Sequence, residues 1–171
     1  MSSGTNVQEF EKAILPHLDA AYNLARWMLR READAQDVVQ EAFVRALGAF
    51  DSFRGLEARA WLLTIVRNTA LTKLRKEKST EAQPLHDGIA EREGQASDPQ
   101  AELVRAANVQ SVRQAVESLP ADLREVVVLR EMEQMSYRQI ASVAGIPIGT
   151  VMSRLSRARD QLRQIMAGSQ T

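Results

Sequence analysis

The sequence predicts an all-α protein of two small helical domains joined by a flexible linker, and three observations support this fold class. Apolar residues recur at spacings of three and four along most of the 171 residues, which is the period of a helix with one buried face. The apolar run at 126–129 lies within such a pattern, so no segment indicates a strand. Residues 78–99 lack periodicity and are rich in Ser, Pro, Gly and acidic side chains. We therefore expect domains at 8–78 and 101–168 and a linker at 79–100.

The first predicted helix extends from Val7 to Arg31 and is broken or kinked at Pro16. Proline suits the first turn of a helix better than its interior, because it lacks an N–H and clashes with the preceding turn. One side of this helix is apolar and is expected to be buried. It consists of Phe10, Ile14, Leu18, Tyr22, Ala25 and Leu29.

A second helix begins at Ala33–Asp34, with Asp34 as its predicted N-cap. Its buried stripe is expected to contain Val39, Phe43, Ala46, Leu47 and Phe50. The outer face then carries Asp37, Gln40, Glu41, Val44 and Arg45. This acidic-leaning face is either a solvated surface or a docking surface for a basic partner.

A loop at 50–58 brings two aromatic side chains, Phe50 and Phe53, close to Arg54, Gly55 and Leu56. The aromatic rings either pack into the core or form a pocket for an unstacked base. The second interpretation rests on chemistry, because proteins hold flipped or single-stranded bases by stacking and by hydrogen bonds to the base edges.

The third helix, Arg59 to Lys76, has a cationic C-terminal half. Its cations Arg67, Lys73, Arg75 and Lys76 give a local charge of +4, since no acid occurs from Thr64 on. Such a density of cations can neutralise several phosphates and release their counterions. Asn68 and Thr72 add hydrogen-bonding groups able to contact bases or sugars. The alternative is an ordinary solvated basic helix end.

The second domain begins with a helix at 101–118, a break at Leu119–Pro120, and a helix at Ala121–Met132. A short helix, Ser136–Ala144, follows, with Ser136 as N-cap and Gly145 at the position where a helix end favours positive φ. The last helix starts at Gly149–Thr150. It buries Val151, Leu155, Ala158 and Leu162 and carries Ser153, Arg154, Ser156, Arg157 and Arg163 on its other side.

This arrangement of two helices around a glycine turn is the helix-turn-helix pattern, whose second helix can enter the major groove of DNA. Between residues 149 and 163 there are four Arg and one Asp. The cap, the glycine turn and the Ser/Arg outer face favour DNA binding over the alternative, a helical hairpin with a solvated basic face.

Composition excludes several classes of function. There is no cysteine, and the two histidines, His17 and His86, lie far apart, so no metal site or cofactor is expected. No Ser/His/Asp set or Gly-rich phosphate loop indicates an enzyme. No apolar run approaches 18 residues, so membrane insertion is not expected. The N-terminal residues lack the basic start and apolar core of a secretory signal, which predicts a cytoplasmic protein.

Net charge is zero but unevenly distributed, with +2 in residues 1–76, −5 in 77–102 and +3 in 103–171. Two mildly basic domains are thus separated by an acidic segment. Because the overall charge does not attract DNA, the free protein is expected to bind DNA weakly.

Three stretches together resemble bacterial sigma factors of the extracytoplasmic-function (ECF) group. They are DAQDVVQEAFVRAL, FRGLEARAWLLTIVRNTALTKLRK and LPADLREVVVLREMEQMSYRQIASVAGIPIGTVMSRLSRARDQL. They occur in the order that this family shows and are separated by the expected linker. The resemblance covers roughly residues 8–78 and 101–166, and the three stretches together are far more specific than a lone helix-turn-helix.

The resemblance implies an alternative sigma factor that binds core RNA polymerase and directs promoter-specific initiation. Residues 8–78 resemble sigma region 2, which binds the β′ clamp and the −10 promoter element. Residues 101–168 resemble region 4, which binds the β flap and the −35 element. The linker would thread through the polymerase toward the RNA exit path. An anti-sigma factor and a role in stress response are also implied.

The resemblance also implies roles for particular residues. The core-binding surface would comprise Asp37, Gln40, Glu41 and Arg45. The −10 contacts would comprise Phe50, Phe53, Arg54, Leu56, Arg67, Asn68, Lys73 and Arg75. The −35 contacts would comprise Arg138, Thr150, Met152, Ser153, Arg154, Ser156 and Arg157. Met152 departs from the family, because many relatives carry Lys or Arg there and a thioether cannot neutralise a phosphate or bind guanine in a bidentate manner.

Two other functions fit the helix-turn-helix less well. A conventional repressor or activator would need a dimer interface or a ligand pocket, and it would leave residues 8–78 unexplained. A protein that imitates a sigma factor to occupy its antagonist should have a degraded basic third helix, whereas the cations of that helix are intact.

Overall fold

The computed structural model describes residues 3–55, 57–79 and 99–168, and all regular elements within these ranges are helical. The α-helices are α1 (Ser3–Ile14), α2 (Leu18–Met28), α3 (Glu32–Ala49), α4 (Ala58–Ser79), α5 (Pro99–Ser118), α6 (Ala121–Val127), α7 (Tyr137–Ala144) and α8 (Ile148–Gly168). Short 3₁₀ segments occupy Leu15–His17 and Phe50–Ser52, and a π-helical turn, Val128–Met132, continues α6. The all-α prediction is confirmed. Most of the predicted linker (residues 80–98) and Leu56 lie outside the described residues.

The predicted break at Pro16 is confirmed, and it explains one wrong assignment. Pro16 lies in a 3₁₀ turn, which has three residues per turn and therefore changes the phase of the helix that follows. Ala21 and Leu24 are buried after this change, whereas Leu18, expected to be buried, is exposed.

Helices α1 to α4 form the first unit, called here the N-terminal unit. Leu24, Val38, Leu62 and Val66 lie at its fully buried centre. Two expectations about α3 are wrong. Its N-cap is Arg31, so Asp34 lies in the first turn, where it faces Lys73 of α4 at 3.6 Å. Leu47 is exposed because it follows the buried Ala46 by one residue, which is about 100° around the helix.

Helices α5 to α8 form the second unit, called here the C-terminal unit. Pro120 caps α6, in agreement with the predicted break, and the run 126–129 is helical as expected. Val151, Leu155 and Ala158 of α8 are buried, and Leu162 packs against the core while partly exposed. The helix starts one residue earlier than predicted, at Ile148.

The two units pack against each other. Helix α4 of the N-terminal unit contacts α7, and α2 contacts α6. The buried apolar residues of both units form one continuous cluster. Sequence patterns indicated two units but gave no indication of this contact.

Candidate nucleic-acid interface

Both ends of α7 have the local features that the sequence predicts, an N-cap at Ser136 and a glycine at the C-terminal end. Gln139 N–H donates to Ser136 Oγ at 3.1 Å, and Ser136 N–H donates to Gln139 Oε1 at 2.9 Å. This reciprocal capping box satisfies N–H groups that a helix start otherwise leaves open. Gly145 ends α7 with φ +67°, a conformation that glycine adopts without steric cost. The N-cap and the glycine turn are therefore confirmed.

The outer face of α8 presents most of the predicted −35 residues to solvent. Met152, Ser153, Ser156 and Arg157 are exposed, and the Met152 side chain is 54% exposed. Arg138 of α7 is also exposed, and Thr150 is half-buried where α8 begins. Because the opposite stripe of α8 is buried, this face is available to a major groove.

Arg154 differs from the other residues of that set. Its side chain is half-buried and its Nε lies 3.9 Å from Asp122 Oδ2 of α6. It therefore pairs within its own unit, and it also lines the cavity between that unit and helices α2 and α4.

The predicted −10 residues of α4 are presented in different ways. Asn68 and Arg75 are exposed, and Lys73 is half-buried next to Asp34. Arg67 Nε donates to Glu125 Oε1 of the C-terminal unit. The four side chains thus do not form one free surface while the two units are packed together.

The aromatic residues near the 50–58 loop form a packed cluster. Phe50 is buried, with its ring centroid 5.3 Å from Phe10 in an edge-to-face contact and 5.6 Å from the stacked ring of Phe53. Phe53 also lies 5.0 Å from Trp61. Arg54 is exposed, and Leu56 lies outside the described residues. Burial favours the core interpretation for Phe50, and base capture by this loop stays a prediction.

The outer face of α3 is exposed as expected. Asp37, Gln40, Glu41 and Arg45 are all at the surface, and Arg45 pairs with Glu41 at 2.6 Å. Val44 lies among them with 72% of its surface exposed. Exposed Leu47 extends the apolar part of this face. Single exposed apolar side chains are common at protein surfaces, so the docking role of this face stays a prediction.

Charged residues in the contact between the units were missed by sequence reasoning. Glu125 and Glu133 of the C-terminal unit are both buried. Burial is the largest influence on each and raises the pKa of each carboxyl, although Arg67 opposes this at Glu125 and Arg59 opposes it at Glu133. The available signal was Glu125 itself, an acid within the apolar stretch 123–129.

Further hydrogen bonds join the same two units. Arg59 Nη1 donates to the Glu133 carbonyl at 2.7 Å, and Arg124 Nη1 donates to the Trp27 carbonyl at 3.1 Å. The guanidinium of Arg113 lies 5.9 Å from the centroid of the Trp27 ring. Between the units lies a cavity of about 330 Å³, whose lining includes Leu24, Leu71, Leu74, Arg67, Arg154 and Glu125.

Within residues 3–55, 57–79 and 99–168, no three or more His, Cys, Asp or Glu side chains are grouped as a metal site would require. Over the same ranges, no helix has the length and apolar character needed to cross a bilayer.

Comparison with known proteins identifies both units. The family profile Sigma-70 region 2 matches residues 13–80, and the profile Sigma-70, region 4 matches residues 110–162. The chain is 41% identical over 139 residues to the ECF RNA polymerase sigma-E factor of Escherichia coli K12, covering 75% of this chain and 72% of that protein. It is 30% identical over 166 residues to the ECF RNA polymerase sigma factor SigE of Mycolicibacterium smegmatis, covering 92% of this chain and 62% of that protein.

Two solved structures have similar folds. The sigma factor RpoE of Bartonella quintana, crystallised with the anti-sigma factor NepR, matches with a TM-score of 0.78 and 29% identity over 94% of this chain and 98% of RpoE. CnrH, in complex with the cytosolic domain of CnrY, matches with a TM-score of 0.67 and 27% identity over 94% of this chain and 89% of CnrH.

Proposed function

The chain belongs to the ECF group of bacterial RNA polymerase sigma factors, and we propose that it binds core RNA polymerase and directs promoter-specific initiation as an alternative sigma factor. The observation that carries this proposal is the pair of family matches, to Sigma-70 region 2 and to region 4, on the two helical units. A single helix-turn-helix would leave the N-terminal unit without a role, whereas a sigma factor uses both.

We propose that the C-terminal unit (101–168) anchors the protein at the −35 element through α8. The exposed face of Met152, Ser153, Ser156 and Arg157 would lie in the major groove, with Arg138, Thr150 and Arg154 near the backbone. Support comes from the left-handed Gly145, which ends α7 before the turn to α8, and from the capping box that defines the start of α7. This unit would also contact the β flap of the polymerase.

The N-terminal unit (8–78) would bind the β′ clamp and hold the opened −10 strand. Exposed Val44 and the surrounding charges of α3 (Asp37, Gln40, Glu41, Arg45) support the first role. For the second role, Arg67, Asn68, Lys73 and Arg75 would contact the DNA backbone, and the loop with Phe50, Phe53, Arg54 and Leu56 would receive a splayed base. Unstacking a base costs a few kcal/mol, and stacking of that base on the protein contributes about 1–3 kcal/mol of stabilisation.

Polymerase would be required because each DNA contact is weak alone. Two linked contacts gain through effective concentration when core enzyme fixes their separation. The linker at 79–100 would span that separation, and the protein would act in the cytoplasm, where core polymerase is.

We propose that an anti-sigma factor holds the chain inactive. Support comes from RpoE of Bartonella quintana, which was crystallised with an anti-sigma factor and matches this chain over nearly its whole length. Such a partner would restrict access to the surfaces of both units.

Run-off transcription on genomic fragments with purified core polymerase tests this function. Specific transcripts are expected only when both core enzyme and this chain are present. Arg157→Ala should weaken initiation at promoters that depend on the −35 element, whereas Arg163→Ala, which removes an exposed arginine paired with Asp160 on the same helix, is the matched control. Absence of any chain-dependent transcript would refute the proposal.

A further inference from the structure

The cavity between the two units has apolar walls and a charged opening. Its volume is about 330 Å³, within the range of about 300–1,000 Å³ that is usual for sites that bind small molecules. Leu24 and Val128 are fully buried in its wall, whereas the lining residues Arg75, Ala121 and Asp122 are exposed. These exposed residues mark the side on which the cavity opens. A ligand would therefore meet charge at the opening and hydrocarbon inside.

Helix α4 gives this cavity an elongated wall. Arg67, Leu71, Leu74 and Arg75 all line it, and their spacing places them on one face of the helix. Because a helix rises about 1.5 Å per residue, this face extends about 12 Å from Arg67 to Arg75. Two leucines between two arginines suit a long, thin ligand whose apolar part lies against the leucines.

The lining carries more positive than negative charge. It holds four arginines and two acids, a formal excess of two positive charges. Arg67 is hydrogen-bonded to Glu125, and Arg154 Nε lies 3.9 Å from Asp122 Oδ2. Both acids are therefore already matched by a cation, and the excess charge comes from the other two arginines of the lining.

Those two arginines, Arg75 and Arg124, have no carboxylate within ion-pairing distance in the part of the chain that the structure describes. Arg124 donates to two backbone carbonyls, and burial is the main cause that lowers the pKa of its guanidinium, with Glu117 opposing this to a smaller extent. An anion in the cavity would stabilise both cations.

We propose that this cavity binds an amphipathic anion, the carboxylate of an unbranched acyl chain of medium length. The chain would lie against Leu24, Leu71 and Leu74, and the carboxylate would pair with Arg75 at the opening. Removal of the methylene groups from water would drive binding, and the charge-assisted hydrogen bond would set the orientation. A cationic head on the same chain would be repelled by the excess positive charge, so the site would discriminate by charge.

Occupancy of this site would also affect initiation. Arg75 is a predicted −10 contact, so an acyl carboxylate bound to it would compete with a DNA phosphate for the same guanidinium. This consequence rests on the proposed function, whereas binding of the anion does not.

Fluorescence titration of the full chain with sodium decanoate tests the site. In a Trp61→Phe background the remaining tryptophan is Trp27, which lines the cavity and should report its occupancy. Saturable binding is expected below the concentration at which decanoate forms micelles. Decyltrimethylammonium has the same chain with the opposite charge, and acetate has the same head without the chain. Each of these two controls should bind at least about tenfold more weakly than decanoate.

Two substitutions place the ligand in the cavity. Arg75→Gln should weaken decanoate binding about tenfold, the factor that one charge-assisted hydrogen bond typically carries, whereas Arg163→Gln, at an exposed arginine of α8, should leave it unchanged. Ala121→Phe narrows the opening and should abolish saturable binding. Its matched control is Ala167→Phe, which adds the same ring at an exposed position of α8 and should have no effect.

Equal binding of decanoate and decyltrimethylammonium, or unchanged binding by Ala121→Phe, would overturn the site. If Arg75→Gln does not fold by circular dichroism, Ala121→Phe decides, because it changes an exposed residue.

Run-off transcription with core enzyme separates this proposal from the proposed function. Decanoate should lower initiation by the wild-type chain and by Ala167→Phe but not by Ala121→Phe, each compared with its own rate before decanoate is added. Saturable binding without this loss would overturn the competition with DNA. Absence of any transcript before decanoate is added would refute only the sigma function, since the titration decides the site by itself.

Discussion

Replacing Arg67 by methionine should destabilise the folded protein, because Glu125 would then be buried without its partner. The substitution keeps a long side chain on α4 but removes the cation next to Glu125. Because the Glu125 side chain is only 5% exposed, its carboxylate would stay buried without its closest counter-charge. Removing one partner of a buried ion pair costs about 3–5 kcal/mol.

Two responses should reduce this loss to about 2–3 kcal/mol near neutral pH. Burial already raises the pKa of Glu125, so the orphaned carboxyl can take up a proton. The units can also separate and hydrate it. Glu125→Leu alone leaves Arg67 without its acceptor, and the double variant Arg67→Met, Glu125→Leu should be close to wild type because neither charge is then buried. The expected coupling energy between the two positions is about 2 kcal/mol.

Urea unfolding followed by tryptophan fluorescence measures this cycle. The two tryptophans are Trp27 and Trp61. In a Trp61→Phe background, Trp27 reports the contact between units, because Arg124 binds its carbonyl and Arg113 lies over its ring. If the two single substitutions add to the effect of the double within about 0.5 kcal/mol, the pair is not coupled and the reasoning is refuted.

Four further predictions concern separate parts of the molecule. Val44→Asp, at a position 72% exposed, should abolish co-elution with core polymerase while shifting unfolding by less than about 0.5 kcal/mol, and retained co-elution would contradict the docking role of α3. Gly145→Ala should destabilise by about 1 kcal/mol in a thermal melt, since φ is +67° and no atom lies within 4 Å of the added Cβ, so an unchanged melt would show that the turn relaxes. Met152→Arg should add a contact to a DNA phosphate. A plot of the logarithm of the DNA-binding constant of the holoenzyme against the logarithm of salt concentration should then steepen by about one unit of slope, whereas an unchanged slope would place this position away from the DNA backbone. Burial raises the pKa of Glu125 in the folded protein above its ordinary value of 4.5. At pH values just above 4.5 the folded protein therefore binds more protons than the unfolded chain. The free energy of unfolding, measured in urea, should then fall as the pH rises through this range. Glu125→Gln should flatten this slope, and an equal slope in the variant would argue against the assignment.

Helix periods, caps and the glycine turn were predictable because local chemistry decides them. The capping box at Ser136, the φ of Gly145 and the buried stripe of α8 each follow from residues within a few positions of one another. One wrong assignment, the burial of Leu18, occurred where a local irregularity changed the phase of the helix. The 3₁₀ turn at Pro16 moved Leu18 to the surface, and no periodicity signal encodes that change.

The contact between the units was not predictable from spacing. Helical periodicity shows that α4 has a broad apolar side but not that part of this side packs against α7 of another unit. Arg67 was assigned to a DNA-facing surface from the charge density of its helix and from the family resemblance. Its actual partner, Glu125, is 58 residues away in sequence, and that pairing depends on how the units dock.

The distance between the two units, measured in the free chain and again in complex with core polymerase, tests the central claim most directly. With fluorophores on cysteines introduced at positions 8 and 164, we expect the distance to be longer after core enzyme is added than in the free chain. The −10 and −35 contacts would be available only in the longer state. A distance that is the same in both samples, whether short or long, would contradict a closed sigma factor that polymerase opens.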